Sequence, residues 1–202
     1  MPRPPRGPPW FNPVLQALKD IVCNPGEFYG ACKRVRRSYV TPEALKRATR
    51  TVKKELVALG FGGGWLDRTE IETEKYAIDC LGWFQSGKIV IPRLSACRAY
   101  VAYINGDTSL VGTLRHEYGH AYLYCHENTA NFQKVFRRTR GYNPEKHISL
   151  YASKNPEEDF CEVFAKFVGT KGALTSDYPC VAKKISYIRK LCRRPRKPRT
   201  TP

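Results

Sequence analysis

Residues 110–126 read Leu-Val-Gly-Thr-Leu-Arg-His-Glu-Tyr-Gly-His-Ala-Tyr-Leu-Tyr-Cys-His. Leu110, Val111, Leu114, Tyr118, Ala121, Tyr122 and Cys125 recur at helical spacing, so the stretch predicts a helix that buries one stripe. Asn105-Gly106 marks a turn before it, and Asp107 or Thr108 is the expected cap. His116 and His120 lie four apart, on one face and one turn from each other. At about 100° per residue they point some 200° away from the Leu114–Tyr118 stripe, so core packing does not account for them. Two imidazoles so placed can share one zinc ion at about 2.0–2.1 Å. Glu117 stands next to them, where a carboxylate can take a proton from a zinc-bound water and pass it to a leaving amine. The plain alternative is a pair of core histidines with an acid between. Gly119 costs the helix about 1 kcal/mol, acceptable where something approaches the backbone closely.

Two histidines hold zinc poorly, and the chain offers two rival third ligands. His126 follows His120 by six residues. That spacing is similar to metzincins and to the small proteases of DNA–protein-crosslink repair. The metzincin turn requires glycine where Leu123 stands, and its methionine turn has no counterpart, since Met1 is the only methionine. The other rival is the run Asn155-Pro156-Glu157-Glu158-Asp159-Phe160-Cys161-Glu162-Val163-Phe164-Ala165. Asn155-Pro156 opens a helix, and Phe160, Val163, Phe164, Phe167 and Val168 form its buried face. Glu158 and Glu162 share another face, where one carboxylate can bind a metal and the next can anchor a ligand histidine. Acids in a first turn also stabilise a helix by themselves, which is the bland account of Glu158.

The pairing of His-Glu-x-x-His with this acidic helix resembles the gluzincin zinc metallopeptidases, most of all the lethal-factor type and a related group of zinc-binding metallopeptidases. The resemblance covers residues 107–127 and 151–168 well and the remainder only in outline. It implies an α+β, zincin-like fold: a small mixed sheet, a central metal helix and a mostly helical C-terminal part. It also implies one zinc per chain, Glu158 as third ligand and Glu162 behind a ligand histidine. A protein or peptide substrate would be hydrolysed with Glu117 as acid–base. The family's oxyanion-stabilising tyrosine, seven residues before the ligand, falls on Tyr151, with Tyr142 and Tyr178 as other options. Cys161 stands where the family usually has alanine, a change expected to leave the ligands untouched. In zincins an edge strand pairs with extended substrate, and Lys88–Pro92 is the expected strand.

Elsewhere, residues 1–11 are Pro/Arg-rich and expected to be flexible, 12–180 form the metallopeptidase domain, and 181–202 a basic helix and tail. A short helix is expected over Val14–Val22. Thr41-Pro42-Glu43 opens a helix with apolar residues at 45, 48, 52, 56 and 59, stopped by the glycines from 60 to 64. Residues 75–92 predict a hairpin around Gln85-Ser86-Gly87, its second strand ended by Pro92. Tyr100–Ile104 reads as a further strand, 131–138 and 180–193 as helices.

The net charge of +17 is confined to the flanks: residues 55–180 carry fourteen basic and fifteen acidic side chains. Such flanks attract nucleic acid or another polyanion, or serve only solubility. The N-terminus lacks the apolar stretch of a secretory signal and nothing reaches membrane-spanning length, so a cytoplasmic monomer with reduced thiols is the default for the eight cysteines. Two other functions stay open. One is a DNA-associated, crosslink-repair-type protease with His126 as ligand; the other is a non-catalytic basic binding protein on a zincin-like scaffold.

Overall fold

The computed structural model describes residue 26 and residues 39–77, 80–95, 109–126, 129–137, 139 and 141–192. The N-terminal segment, the helix expected at 14–22, the strand expected at 100–104 and the tail beyond 192 lie outside them. The described residues form an α+β arrangement of six α-helices, one 3-10 turn and a three-stranded mixed sheet.

Helix α1, Pro42–Ala58, starts where its chemistry dictates. Thr41 accepts a hydrogen bond from the Ala44 amide, and Pro42 occupies the first turn, where its missing N–H is no loss. Leu45, Ala48, Val52 and Leu56 are buried along one stripe. Gly60 ends the element at φ +84°, and a Cβ there would lie 2.6 Å from the Cys192 carbonyl oxygen, so both conformation and space require glycine. A short helix follows within the expected glycine loop: α2, Gly64–Arg68. It buries Trp65, whose Nε1 donates to the Phe61 carbonyl at 2.9 Å, and Leu66.

The sheet holds β1 (Glu70–Ala77), β2 (Trp83–Gln85) and β3 (Lys88–Ser95) in the order β1-β3-β2. β2 and β3 form the expected hairpin across Ser86-Gly87, both at positive φ. Three features differ from the sequence reading. β1 begins at Glu70, five residues before the predicted run; its Glu-Ile-Glu-Thr-Glu-Lys sequence hides a strand because its faces are half-exposed and lined with charge. It pairs in parallel with β3, and Lys88 bridges to Glu70 and Glu72 at 3.1 and 2.5 Å. Pro92 does not end β3, which runs on to Ser95. The pairing of β2 with β3 stops at Val90, so a missing N–H at Pro92 loses no bond to that strand. Lys88–Val90 is therefore central, with β1 on one side and β2 on the other, while Ile91–Ser95 pairs with β1 alone among the described strands, so the expected edge strand is half enclosed.

Helix α3, Leu110–Cys125, crosses this assembly with Leu114, Tyr118, Ala121 and Tyr122 buried, as its stripe requires. Its cap is Ser109, whose hydroxyl accepts from the Gly112 amide at 3.0 Å, rather than Asp107 or Thr108. After α4 (Thr129–Val135) and a 3-10 turn over Tyr151–Ser153, helix α5 spans Pro156–Gly169. Asn155 caps it, accepting from the Glu158 amide at 2.8 Å, and Phe160, Val163, Phe164, Phe167 and Val168 are all buried. Helix α6, Pro179–Cys192, is basic in composition, yet Val181, Ile185, Ile188 and Leu191 join the same core as the other helices. Lys184 is buried with them, its ammonium held by Asp159 and the Lys146 carbonyl. Among the described residues no helix is long and apolar enough to cross a membrane.

Candidate metal centre

Helices α3 and α5 pack closely because neither presents bulk where they meet. A Cβ on Gly119 would lie 3.1 Å from both Cα and Sγ of Cys161 and 3.3 Å from its Cβ. The approach anticipated for this glycine is thus made by the neighbouring helix. It brings the acidic face of α5 against the histidine face of α3.

The Glu158 carboxylate lies between the two imidazoles. Its Oε2 is 3.0 Å from Nε2 of His116 and 3.3 Å from Nε2 of His120. Its Oε1 receives hydrogen bonds from the Tyr151 hydroxyl at 3.2 Å and the Lys154 ammonium at 3.3 Å. Behind His116, the Glu162 Oε1 is 2.9 Å from Nδ1, and Ser149 Oγ donates to the other Glu162 oxygen at 2.6 Å. Carboxylate, imidazole and a shared point beyond Nε2 form the arrangement by which proteins fix the tautomer and orientation of a metal-binding histidine.

Charge follows this geometry. Burial works against the His116 imidazolium, but the hydrogen-bonded carboxylates of Glu158 and Glu162 outweigh it and push its pKa up to about 10. Burial would likewise raise Glu158, and the two histidines overcome it, holding the carboxyl well below the usual range. Glu162 is lowered in the same way, against burial, by His116 and Ser149. Glu117 goes in the opposite direction, raised by burial at 5% exposure. Its Oε2 is buried without a hydrogen-bond partner among the described residues. A buried carboxylate oxygen lacking a partner marks a place where a ligand or solvent group is expected.

His116, Glu117, His120, Tyr151, Glu158 and Glu162 are therefore brought together. His126, the rival ligand, is engaged elsewhere. It follows the last residue of α3, its Nδ1 is 3.1 Å from the Tyr122 carbonyl, and its ring stacks on Tyr122 and meets the edge of Trp65. Tyr142 and Tyr178 are exposed, and Tyr142 stacks on His147. Of the three tyrosines only Tyr151 bonds a residue of the cluster.

Three participants escaped the sequence reading. Ser149 lies thirteen residues from the acid it serves, a separation no local pattern reveals. Lys154 and Glu158 had a signal, their spacing of four on successive turns. Cys161, set aside as a small replacement, places its sulfur within 4.8 Å of donor nitrogens of both His116 and His120.

These donors could hold a divalent metal ion: two imidazole nitrogens and a carboxylate oxygen converge, a histidine is braced from behind, and an acid with one unpartnered oxygen stands beside them. No family model matches the chain, and no curated protein or solved structure matches it.

Proposed function

We propose that this chain is a zinc-dependent metallopeptidase of the gluzincin kind, hydrolysing peptide bonds in an extended protein or peptide substrate. His116, His120 and Glu158 would hold the ion. The observation that carries the reading is the meeting of both Nε2 atoms with one Glu158 oxygen, from helices more than thirty residues apart in sequence. Zinc held there supplies Lewis-acid polarisation of a carbonyl and makes water a nucleophile near neutral pH.

The remaining chemistry belongs to side chains. Glu117, whose pKa burial raises, is the base that takes a proton and returns it to the departing amine. Tyr151 stays protonated, its pKa raised by burial and by Glu158, and can donate its O–H to a developing oxyanion. Lys154, with its ammonium 3.3 Å from that hydroxyl, adds positive charge on the same side. Glu162 and Ser149 keep the His116 ring from rotating. Since Lys88–Val90 of β3 is flanked on both sides, the strand to receive substrate is β2, which among the described residues is paired on one side only.

The crosslink-repair reading depends on His126, and its contacts with Tyr122 and Trp65 favour Glu158 instead. Elemental analysis and hydrolysis of an unfolded protein mixture test the proposal. One zinc per chain is expected, with Glu117→Gln retaining the ion and losing turnover. Glu158→Ala should release far more metal than His126→Ala. Full turnover by Glu117→Gln, or purified protein devoid of any divalent ion and unable to take one up, refutes it.

A further inference from the structure

The same two histidines face a second, chemically different donor. Cys161 is a free, fully buried thiol on α5, between Glu158 and Glu162 in sequence. Its sulfur and one nitrogen each of His116 and His120 lie within 4.8 Å of one another. Gly119 leaves nothing in between: the sulfur fills the notch where a side chain at 119 would stand, 3.1 Å from that Cβ position. Cys125 and Cys180 are also free, but neither joins the group.

We propose that Cys161 gives this centre a second donor set, so that a soft cation such as Cd2+ binds through His116, His120 and the Cys161 sulfur, while zinc is held through Glu158. The inference rests on the zinc-centre reading and goes beyond it to the selectivity of the site. Thiolate prefers soft ions and carboxylate harder ones, and a histidine pair facing one of each on the opposing helix can serve both. Binding in the thiolate mode releases the thiol proton to solvent. A soft ion so held competes with zinc for the histidines, making the centre open to displacement by thiophilic metals. A cysteine that is only a small packing residue would do none of this.

The test titrates the chelator-treated full chain with Cd2+ and with Zn2+, comparing wild type, Cys161→Ser, Cys161→Ala and Glu158→Gln. Affinity is read by competition with a chromophoric chelator, and sulfur coordination by the near-ultraviolet thiolate-to-cadmium absorption. Wild type should show that band. Both Cys161 variants should lose it and bind Cd2+ more than about tenfold more weakly, at least the loss expected for an outer partner of a metal ligand. Their Zn2+ affinity should move less, and Glu158→Gln should show the reverse preference. The serine variant keeps the shape of the notch and the alanine variant leaves no donor, so a folding defect in one leaves the other as the readout. A band that survives both substitutions, or Cd2+ affinity that does not change, overturns the inference while leaving the zinc centre standing. Equal losses for both ions overturn the division of labour. Failure of wild type to bind either ion overturns this inference and the metallopeptidase reading together.

Discussion

Replacing Gly119 by alanine probes the packing on which the centre depends. In an isolated helix the change gains about 1 kcal/mol. Here the added methyl would lie 3.1 Å from the Cα and Sγ of Cys161 and 3.3 Å from its Cβ. Carbon atoms at rest are about 3.5–4.0 Å apart, so several tenths of an ångström must be found, and one of the atoms in the way is backbone. Overpacking of this kind costs about 1–3 kcal/mol, which cancels or exceeds the helix gain. Relief by sliding α5 away carries Glu158 from its 3.0 and 3.3 Å contacts with the two histidines. Gly119→Ala should therefore be at best neutral in urea denaturation and should bind zinc more weakly in a chelator competition. Adding Cys161→Ala removes the sulfur contact but not the other two, so recovery should be partial, with a coupling of at least about 0.5 kcal/mol between the sites. A single variant stabilised by the full helix gain, with unchanged zinc affinity, would refute the close contact.

Three other outcomes follow from the structure. Glu162→Gln keeps the size of the side chain but weakens its hold on His116, and should lower zinc affinity by about 10–100-fold, measured by chelator competition, with little change in fold by circular dichroism. Lys184→Met leaves the Asp159 carboxylate buried without its ion-pair partner and should cost about 3–5 kcal/mol in chemical denaturation, while Asp159→Leu with Lys184→Met should recover most of it. A single-variant loss below about 1 kcal/mol would contradict a desolvated pair. After chelation, His116 has a pKa raised from 6.5 to about 10, so its protonation stabilises the fold fully below pH 6.5. That contribution fades as pH rises towards about 10, so the melting temperature of chelated protein should fall over this window more steeply in wild type than in His116→Asn.

The two helices that build the centre were legible because their signals are local and redundant. In α5, cap, proline, first-turn acids and aromatic stripe agree, and each is found where its chemistry places it. The His116–His120 face was readable for the opposite reason: it breaks the packing pattern of α3. What escaped notice was non-local. β1 carries Glu70, Glu72 and Glu74 on a strand whose stability comes from parallel pairing with β3, eighteen residues later in register. The position of β3 in the middle of the sheet depends on that same partner, which is why Lys88–Pro92 passed for an edge. Cys161 was overlooked because its relation to His116 and His120 exists only once Gly119 lets the helices touch. Family resemblance suggests Glu158 over His126; the structure places Glu158 against both imidazoles and His126 against the Tyr122 carbonyl.

Where the C-terminal charge can be cut away is set by α6. Lys184 reaches the residue next to Glu158, and Gly60 abuts the Cys192 carbonyl, so the last helix braces the Glu158 turn of α5 from one side and closes off α1 on the other. A chain shortened at residue 180 to strip its positive tail would lose this brace, and any fall in polyanion binding would be confounded with collapse of the candidate metal centre. Trimming after Cys192 instead takes Arg193, Arg194, Arg196, Lys197 and Arg199 and spares the contacts that α6 makes with the other described residues, which separates the electrostatics of the tail from the integrity of the centre.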